Sequence, residues 1–201
     1  MRCISVSHFQ SPDVNAALLL SRELLNSFAM TASAAFESIS GSGDDLQQVV
    51  ALCESLRDYC LIGGLAINCY VEPVYTMDAD FALAAAHLES VRDRLVALGF
   101  KVEDHAHSLN ALRPGSQLSI QFTKDDRYAG FPARAETRET LGLRLRVASL
   151  PDLVQAKIWA WSDPQRRLSK RKKDELDLIR VAEKYPEFIP HLPEAIRRQI
   201  T

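Results

Sequence analysis

The sequence lacks the features that mark several large classes of protein. Its formal net charge is only −2 over 201 residues, so the chain as a whole does not attract nucleic acid or an anionic membrane. The longest apolar run, FALAAA at 81–86, falls far short of the roughly 20 residues that a membrane-spanning helix needs. The run AALLL at 16–20 is too short for a secretory signal. We therefore expect a cytoplasmic protein with no membrane partner.

Cysteine and histidine are sparse and poorly spaced for metal binding. The four cysteines form no CxxC pair, and no histidine lies at zinc-finger distance from them. His105 and His107 have no third ligand nearby, so we predict that they lie on the surface or in a turn. No Gly-x-Ser-x-Gly or Cys/His nucleophile pattern supports a hydrolase. Reduced thiols, with Cys60 and Cys69 buried, are the expectation.

Apolar residues are plentiful, at 47% of the chain, and their periodicity changes along it. Helical spacing covers 12–38, and SGSGDD at 40–45 is the clearest linker. Beyond the linker, helix-like and strand-like segments alternate, and the C-terminal part is helical. The predicted helices are one from Asp44 to before Tyr59 and others at 64–70, 85–100, 150–162, 170–184 and 192–200. The predicted strands are at 59–62, 75–83, 117–123 and 143–148. We expect two or three strands in all after residue 100.

This pattern predicts an α+β protein with an α/β-like core, in which helices flank a mixed β-sheet. We divide the chain into an N-terminal helical arm (1–43), a core (44–148) and a C-terminal helical segment that packs on the core (149–201).

The strand-like segment YTMDADFAL (75–83) places two acids on one face. Side chains two residues apart in a strand share a face, with their Cα atoms about 6.6 Å apart. Asp78 and Asp80 therefore repel each other unless a cation lies between them. Mg²⁺ is the natural candidate, because it prefers one or two carboxylates together with phosphate oxygens. A solvated outer face is the plainer alternative. The opposite, core-facing positions hold Met77, Ala79, Phe81 and Leu83.

Two glycines precede this segment in the chain, with ten residues between them and Tyr75. Gly63 and Gly64 end an apolar strand and open a short helix, where backbone N–H groups can cradle a phosphate. A glycine pair alone is a weak signal. Combined with Asp78 and Asp80, it describes a site for a metal and a triphosphate.

These residues resemble a known family. IGGLAI…YTMDADFAL is similar to the opening motif of the nucleotidyltransferase superfamily, in which a glycine pair precedes an Asp-x-Asp. The closest variant is the abortive-infection type nucleotidyltransferase-like toxin family of bacterial toxin–antitoxin systems. The likeness continues in LPDLVQAKIWAWSDPQRRLSKRKKDELDLIRV (150–181), which resembles that family's helix with Asp-x4-Lys and the Lys-Asp-rich helix after it.

The resemblance implies a nucleotidyltransferase fold and a specific chemistry. The enzyme would transfer a nucleoside monophosphate from an NTP to a hydroxyl of a protein, an RNA or a small molecule, with Mg²⁺ as cofactor. It would belong to a toxin–antitoxin pair and have a cognate antitoxin as partner. The implied site has Asp78, Asp80 and Lys157 as catalytic residues, Asp78 and Asp80 as metal ligands, and Gly63, Gly64 and Lys173 as nucleotide-binding residues.

The family pattern also includes a third carboxylate on a neighbouring strand. The natural candidate is QLSIQFT (117–123), but its site-facing positions hold Ser119 and Gln121. Asp125 and Asp126 follow this strand and are the remaining candidates. Tyr75 replaces a basic residue of the family. These departures keep a second hypothesis open, namely a catalytically degenerate module of the same fold that binds a nucleotide or a partner.

Lys157 lies in the middle of an apolar stripe on the predicted helix 150–162, where a desolvated ammonium needs an anion. Its stem could instead lie along the core with its head in water. The run RRLSKRKKDELD (166–177) begins the next helix, where cations oppose the helix dipole. It could bind triphosphate or the RNA of an RNA-binding protein, although a solvated surface is the plainer reading. Asp174 and Asp177 are predicted to pair with Lys157 or the basic run.

Overall fold

The computed structural model describes residues 43–200 of the chain. The predicted helix at 12–38, and all of the predicted arm 1–43 except Gly43, lie outside this range. The first described element is helix α1 (Gly43–Leu56), which carries Asp44 and Asp45 in its first turn as the helix dipole favours. This helix agrees with the prediction of one that starts near Asp44 and ends before Tyr59.

A mixed sheet of seven strands lies at the centre of the described residues, in the order β3-β4-β5-β2-β1-β7-β6. The pairs β1–β7 and β2–β5 are parallel, and the other neighbours are antiparallel. The strands are β1 (Tyr59–Ile62), β2 (Asp78–Leu83), β3 (Lys101–Asp104), β4 (Ser108–Leu112), β5 (Ser119–Thr123), β6 (Glu136–Thr140) and β7 (Leu143–Val147).

Five strands follow residue 100, so the prediction of two or three was wrong. The sheet ends at β3 and β6, and most side chains of these two strands are exposed. An edge strand of this kind shows little apolar alternation, so it gives only a weak sequence signal.

The helices match their predicted places closely. Helix α4 begins at Leu150, where the Ser149 side chain accepts a hydrogen bond from the Asp152 amide and Pro151 occupies the first turn. Gly99, with φ +87°, ends the turn after α3. The remaining helices after α1 are α2 (Gly63–Ile67), α3 (Leu88–Ala97), α4 (Leu150–Ser162), α5 (Leu168–Lys184) and α6 (Glu194–Ile200).

The core lies between the sheet and its flanking helices. All four residues of β1 are buried, and the rings of Phe81 and Phe122 stack at 5.5 Å across β2 and β5. The prediction that Ala79, Phe81 and Leu83 face the core is confirmed. Met77 is 39% exposed, so its predicted core position was wrong. The reason is that β2 begins at Asp78, three residues after the predicted start at Tyr75, so Met77 precedes the strand.

Two smaller predictions are settled by the described residues. Cys53 and Cys60 are free and buried, whereas Cys69 is only half-buried, contrary to its predicted burial. His105 and His107 are exposed around the turn between β3 and β4, as predicted. Among residues 43–200, no helix combines the length and apolar character needed to cross a membrane.

Candidate active site

The two acids of the Asp-x-Asp motif lie in the first half of β2, in the middle of the sheet. Strand β5 runs parallel to β2, and its register places Ser119 beside Asp78 and Gln121 beside Asp80. On the other side, Asp80 is paired with Ile62, the last residue of β1. The chain turns into helix α2 directly after Ile62, so the glycine pair lies next to the Asp80 side chain.

Gly63 is required at this corner for two reasons. Its φ of +72° lies in the left-handed region, which residues with a Cβ atom rarely adopt. In addition, a Cβ atom at this position would lie 2.2 Å from Oδ2 of Asp80. At Gly64, by contrast, a Cβ atom would meet only the Thr76 hydroxyl oxygen, at 3.9 Å. The absence of a side chain at residue 63 therefore makes room for the Asp80 carboxylate.

The Asp80 carboxylate has no hydrogen-bond or ion-pair partner among residues 43–200. Burial raises the pKa of this carboxyl group to about 6, and the negative charge of Asp78 adds to the shift. The cations Lys157, Lys170 and Arg166 oppose it only in part. A charged group in such surroundings is costly unless a cation binds to it.

Asp78 is more accessible than Asp80 and has a partner. Its side chain is 43% exposed, and Oδ2 lies 3.1 Å from the Lys170 ammonium nitrogen. Lys170 comes from helix α5, 92 residues further along the chain. This ion pair places the start of α5 over the Asp-x-Asp motif.

Lys157 is buried in α4 and pairs with two acids of α5. Its ammonium nitrogen lies 2.9 Å from Asp174 and 2.6 Å from Asp177, which confirms their predicted pairing. Burial alone would lower the pKa of Lys157, but the attraction of Asp177 and Asp174 outweighs it and raises the pKa. Lys157 is therefore already held by two carboxylates, and these ion pairs join α4 to α5.

The basic run at the start of α5 is largely engaged within the protein. Arg166 donates to Asp174 at 2.7 Å, and Arg171 donates to the carbonyl of Trp161 at 2.8 Å. Lys170 pairs with Asp78, and Lys172 pairs with Glu175. These four residues therefore have partners within the protein, although Lys172 is also exposed to solvent. Lys173 has no ion-pair partner among residues 43–200 and lines the cleft beside the motif.

The cleft consists of two pockets that share Asp80, Lys157, Arg166 and Asp174. The first, which we call the Lys173 pocket, also contains Gly64, Asp78 and Lys170. The second, the Gln121 pocket, also contains Gly63, Thr123 and Tyr128. Sequence reasoning did not find Tyr128 or Thr123, because neither belongs to a motif. The alternation of 117–123 did place Thr123 on the correct face.

The donor set at the motif fits one Mg²⁺ and does not fit a centre with three carboxylates. Asp78 and Asp80 share a strand face beside a cleft lined by cations, and two carboxylates suffice for Mg²⁺ when phosphate oxygens complete its coordination. Within residues 43–200, no group of three or more His, Cys, Asp or Glu side chains is arranged to hold a metal.

Neither candidate for the third carboxylate lines the cleft beside the motif. Asp125 accepts from the Arg127 guanidinium and from the Arg127 amide at 3.0 Å, and this hydrogen bonding lowers the pKa of Asp125. The acid caps a short 3₁₀ turn and is already neutralised by its neighbour. Asp126 is exposed and lies outside the cleft.

The glycine pair provides less for a phosphate than the sequence suggested. Helix α2 spans five residues, Gly63–Ile67, so few aligned peptide dipoles support its N-terminus. The geometry of this corner supports a steric role for Gly63 beside Asp80. Phosphate binding by the two glycine amides stays a prediction.

Solved structures with the same fold place this site in context. No protein-family model and no curated protein matches the chain. Among solved structures, ANT(2″)-Ia in complex with adenylyl-2″-tobramycin has a TM-score of 0.54 at 15% identity, covering 78% of this chain and 97% of that one. JHP933 from Helicobacter pylori has a TM-score of 0.51 at 17% identity, covering 80% and 71%. A presumed nucleotidyltransferase from Helicobacter pylori has a TM-score of 0.50 at 17% identity, covering 80% and 73%.

These similarities show that the chain has the nucleotidyltransferase fold, as the resemblance of its motifs implied. At such low identity they show the fold and not the reaction. Within the fold, the Asp-x-Asp motif, the Gly63 corner and the cations of α5 lie around one cleft.

Proposed function

We propose that the chain is a nucleotidyltransferase that binds an NTP with Mg²⁺ and transfers its nucleoside monophosphate to a hydroxyl group. The observation that carries this proposal is the state of Asp80. Its carboxylate is partly buried beside Gly63, borders both pockets and has no hydrogen-bond or ion-pair partner among residues 43–200. A carboxylate in this position supports the binding of a cation, and the adjacent Asp78 supplies a second ligand.

The cations of the cleft divide into two groups by their partners. Lys170 and Lys173 border the Lys173 pocket and are accessible to the phosphates, which would neutralise their charges. Lys170 would then exchange its ion pair with Asp78 for one with a phosphate oxygen. Arg166 and Lys157 are held by Asp174 on the shared wall. We assign phosphate contact to the first group and positioning of α5 to the second.

Bound Mg²⁺ would supply charge neutralisation at the α-phosphate and orient it for attack. Asp78 and Asp80 would hold the ion. The backbone amides of Gly63 and Gly64 would donate to phosphate oxygens. Because Gly63 has no side chain, the nucleotide and the Asp80 carboxylate can approach the same corner.

The identity of the acceptor rests on weaker support than the binding of the nucleotide. Protein, RNA and small-molecule hydroxyls were all open from the sequence. The complex of ANT(2″)-Ia contains an adenylylated small molecule, which favours a small-molecule hydroxyl for this chain too. A role in a toxin–antitoxin pair, with a cognate antitoxin, is supported by the motif resemblance alone.

Calorimetric titration of each NTP, with and without Mg²⁺, tests the proposal directly. We expect the protein to bind at least one NTP in a Mg²⁺-dependent manner and to lose this binding in Asp78→Asn and Asp80→Asn. Asp126→Asn is the matched control, because it removes an exposed acid outside both pockets. If no NTP binds, or the two motif variants bind as well as the native protein, the proposal is wrong.

A second candidate function is favoured by Ser119 and Gln121, which occupy the places beside the two acids of the motif. With no third carboxylate, the protein would bind a nucleotide or partner without catalysing transfer. Transfer of labelled nucleotide to any acceptor in a lysate distinguishes the two candidates. A native protein that binds Mg²⁺ and NTP but transfers nothing, together with activity gained in Gln121→Glu, would support the degenerate module.

RNA binding through the basic run is the least supported function. Four of the six cations in the run have partners within the protein, so few charges remain for a phosphate backbone. Such binding would weaken steeply as salt concentration rises. The absence of RNA binding at low salt would exclude it.

A further inference from the structure

The two pockets beside Asp80 differ in the charges that each adds to the shared wall. The Lys173 pocket alone contains Lys170 and Arg180, which pair with Asp78 and Asp177 of the same pocket, and it also contains Lys173, which has no ion-pair partner among residues 43–200. None of the residues that line only the Gln121 pocket is charged. They are polar or apolar side chains from β5, α4 and the 3₁₀ turn after β5, together with Ile62 and Gly63 at the end of β1. On the shared wall, Lys157 and Arg166 both pair with Asp174, and Lys157 pairs with Asp177 as well.

The Gln121 pocket contains polar groups that are not used by the protein. The Gln121 amide and the Tyr128 hydroxyl have no hydrogen-bond partner within the described part of the chain. The Thr123 hydroxyl oxygen accepts from the Asp125 amide, so its O–H remains able to donate. Partly buried polar groups without partners usually meet a ligand or water.

Tyr128 is held rigidly in place by other aromatic rings. Its ring lies 4.9 Å from that of Phe131 and 5.9 Å from that of Trp159, in tilted and edge-on arrangements that are favourable for aromatic pairs. Burial raises the pKa of the Tyr128 hydroxyl, so this group stays protonated and can donate a hydrogen bond. A fixed aromatic ring with a free hydroxyl provides both an apolar surface and a polar contact.

The size of the Gln121 pocket limits what it can hold. Its volume is about 140 Å³, similar to the 120 Å³ of the Lys173 pocket, and both are below the roughly 300–1,000 Å³ of pockets that enclose drug-sized ligands. Ile62, Leu153 and Ala156 give it an apolar side opposite the polar groups. These surfaces suit a single ring or a short polyol. Lys173, the one cation lining the two pockets that has no ion-pair partner among residues 43–200, lies in the other pocket.

On the basis of the proposed function, we infer that the acceptor is a small uncharged hydroxyl compound, such as a sugar or glycoside, which binds in the Gln121 pocket. The pyrophosphate leaves through the Lys173 pocket on the other side of Asp80. The acceptor oxygen forms a bond to the α-phosphorus, and the bond from that phosphorus to the bridging oxygen breaks with its electron pair passing to pyrophosphate. The proton of the acceptor hydroxyl passes to solvent water.

Two binding experiments test this division. Calorimetry with Mg²⁺ and inorganic tripolyphosphate reports on the phosphate side independently of the nucleobase. Saturation-transfer NMR with methyl β-D-glucopyranoside, and separately with an RNA trinucleotide that has a free 3′-hydroxyl, reports on the acceptor side. Gln121→Leu and Tyr128→Phe alter the Gln121 pocket, and Lys173→Met alters the Lys173 pocket. The variants of one pocket serve as controls for the binding experiment on the other pocket.

We expect Lys173→Met to weaken tripolyphosphate binding about fivefold, the equivalent of one exposed ion pair, and to leave glucoside binding unchanged. Gln121→Leu and Tyr128→Phe should weaken glucoside binding about tenfold, the equivalent of one hydrogen bond, and leave tripolyphosphate binding unchanged.

Failure of this inference can be distinguished from failure of the proposed function. If the native protein does not bind tripolyphosphate with Mg²⁺, the proposed function itself is wrong. If it binds tripolyphosphate but the glucoside does not bind, or binds equally well to the Gln121 and Tyr128 variants, only the acceptor inference is wrong. Trinucleotide binding that these two variants weaken would also overturn it, in favour of an RNA acceptor.

Discussion

Replacing Asp80 by asparagine should stabilise the ligand-free protein while abolishing its binding of Mg²⁺ and NTP. In the folded protein, the Asp80 carboxylate is held beside Gly63 and next to Asp78, without a hydrogen bond or ion pair from residues 43–200. Its charge is therefore more costly in the folded than in the unfolded state. Asparagine keeps the size of the side chain and removes that charge.

The magnitude follows from the pKa of Asp80, which rises from 3.8 to about 6 on folding. Each pKa unit corresponds to about 1.4 kcal/mol, so the charge costs on the order of 3 kcal/mol at neutral pH. The side chain borders an open cleft, and solvent there reduces the effect. We expect Asp80→Asn to raise the free energy of unfolding at pH 7.5 by about 1–3 kcal/mol.

The pH dependence of the free energy of unfolding tests the sign of the Asp80→Asn effect independently. Because the folded pKa of Asp80 is raised, the folded state binds more protons than the unfolded state between about pH 4 and 6. The contribution of Asp80 to stability therefore becomes less favourable as pH increases through this window. The advantage of Asp80→Asn should be near zero at pH 4, grow up to about pH 6 and stay constant above pH 7.

Urea denaturation followed by tryptophan fluorescence measures these stabilities, with Asp78→Asn as the matched control. The Asp78 side chain is 43% exposed and paired with Lys170, and exposed pairs of this kind contribute about 0–1 kcal/mol. The control should therefore be slightly less stable than the native protein or equal to it. If Asp80→Asn destabilises the protein at pH 7.5, or if its effect does not depend on pH, the explanation from an uncompensated buried charge is wrong.

The remaining predictions concern the same site. Because Mg²⁺ competes with a proton for Asp80, calorimetry should show the affinity for Mg²⁺ and NTP falling about tenfold per pH unit below about pH 6, and a flat profile would contradict this. Gly63→Ala should lower the free energy of unfolding by about 1–3 kcal/mol in urea denaturation and prevent NTP binding, whereas Gly64→Ala should change neither property much. Equal effects of the two substitutions would refute the steric role of Gly63. Lys157→Met removes the cation shared by two buried acids, which keep only Arg166 and Arg180, and should cost about 1–3 kcal/mol, against about 0–1 for Lys170→Met; equal losses for the two variants would show that the Lys157 ion pairs do not support the fold.

The elements of the described fold were predictable where local periodicity is strong. Helices α4 and α5 and strands β1 and β5 agree with their predictions to within two residues because each has a clear apolar pattern. Strands β3 and β6 were missed because they lie at the edges of the sheet, where side chains on both faces contact solvent. Alternation in a sequence reports burial on one face, and an edge strand has little of it.

The candidate site was predictable in part for the same reason. The two-residue repeat of a strand is enough to predict that Asp78 and Asp80 lie on one face. The helical repeat is enough to predict that Lys157 lies in the middle of an apolar helix face. Asp125, one of the two candidates for a third ligand, instead pairs with Arg127 two residues away. A sequence shows that an acid is present but does not show which cation will neutralise it.

By itself, the sequence determined the local features of the site: a glycine corner, two acids on one strand face after it, and a lysine within an apolar helix face. Each depends on residues only a few positions apart, for which backbone geometry alone sets the directions of the side chains. Only the tertiary structure decided which distant groups meet there. It placed Lys170 against Asp78 and Gln121 beside Asp80, because the order of the strands and the packing of α5 on α4 bring together segments far apart in the chain.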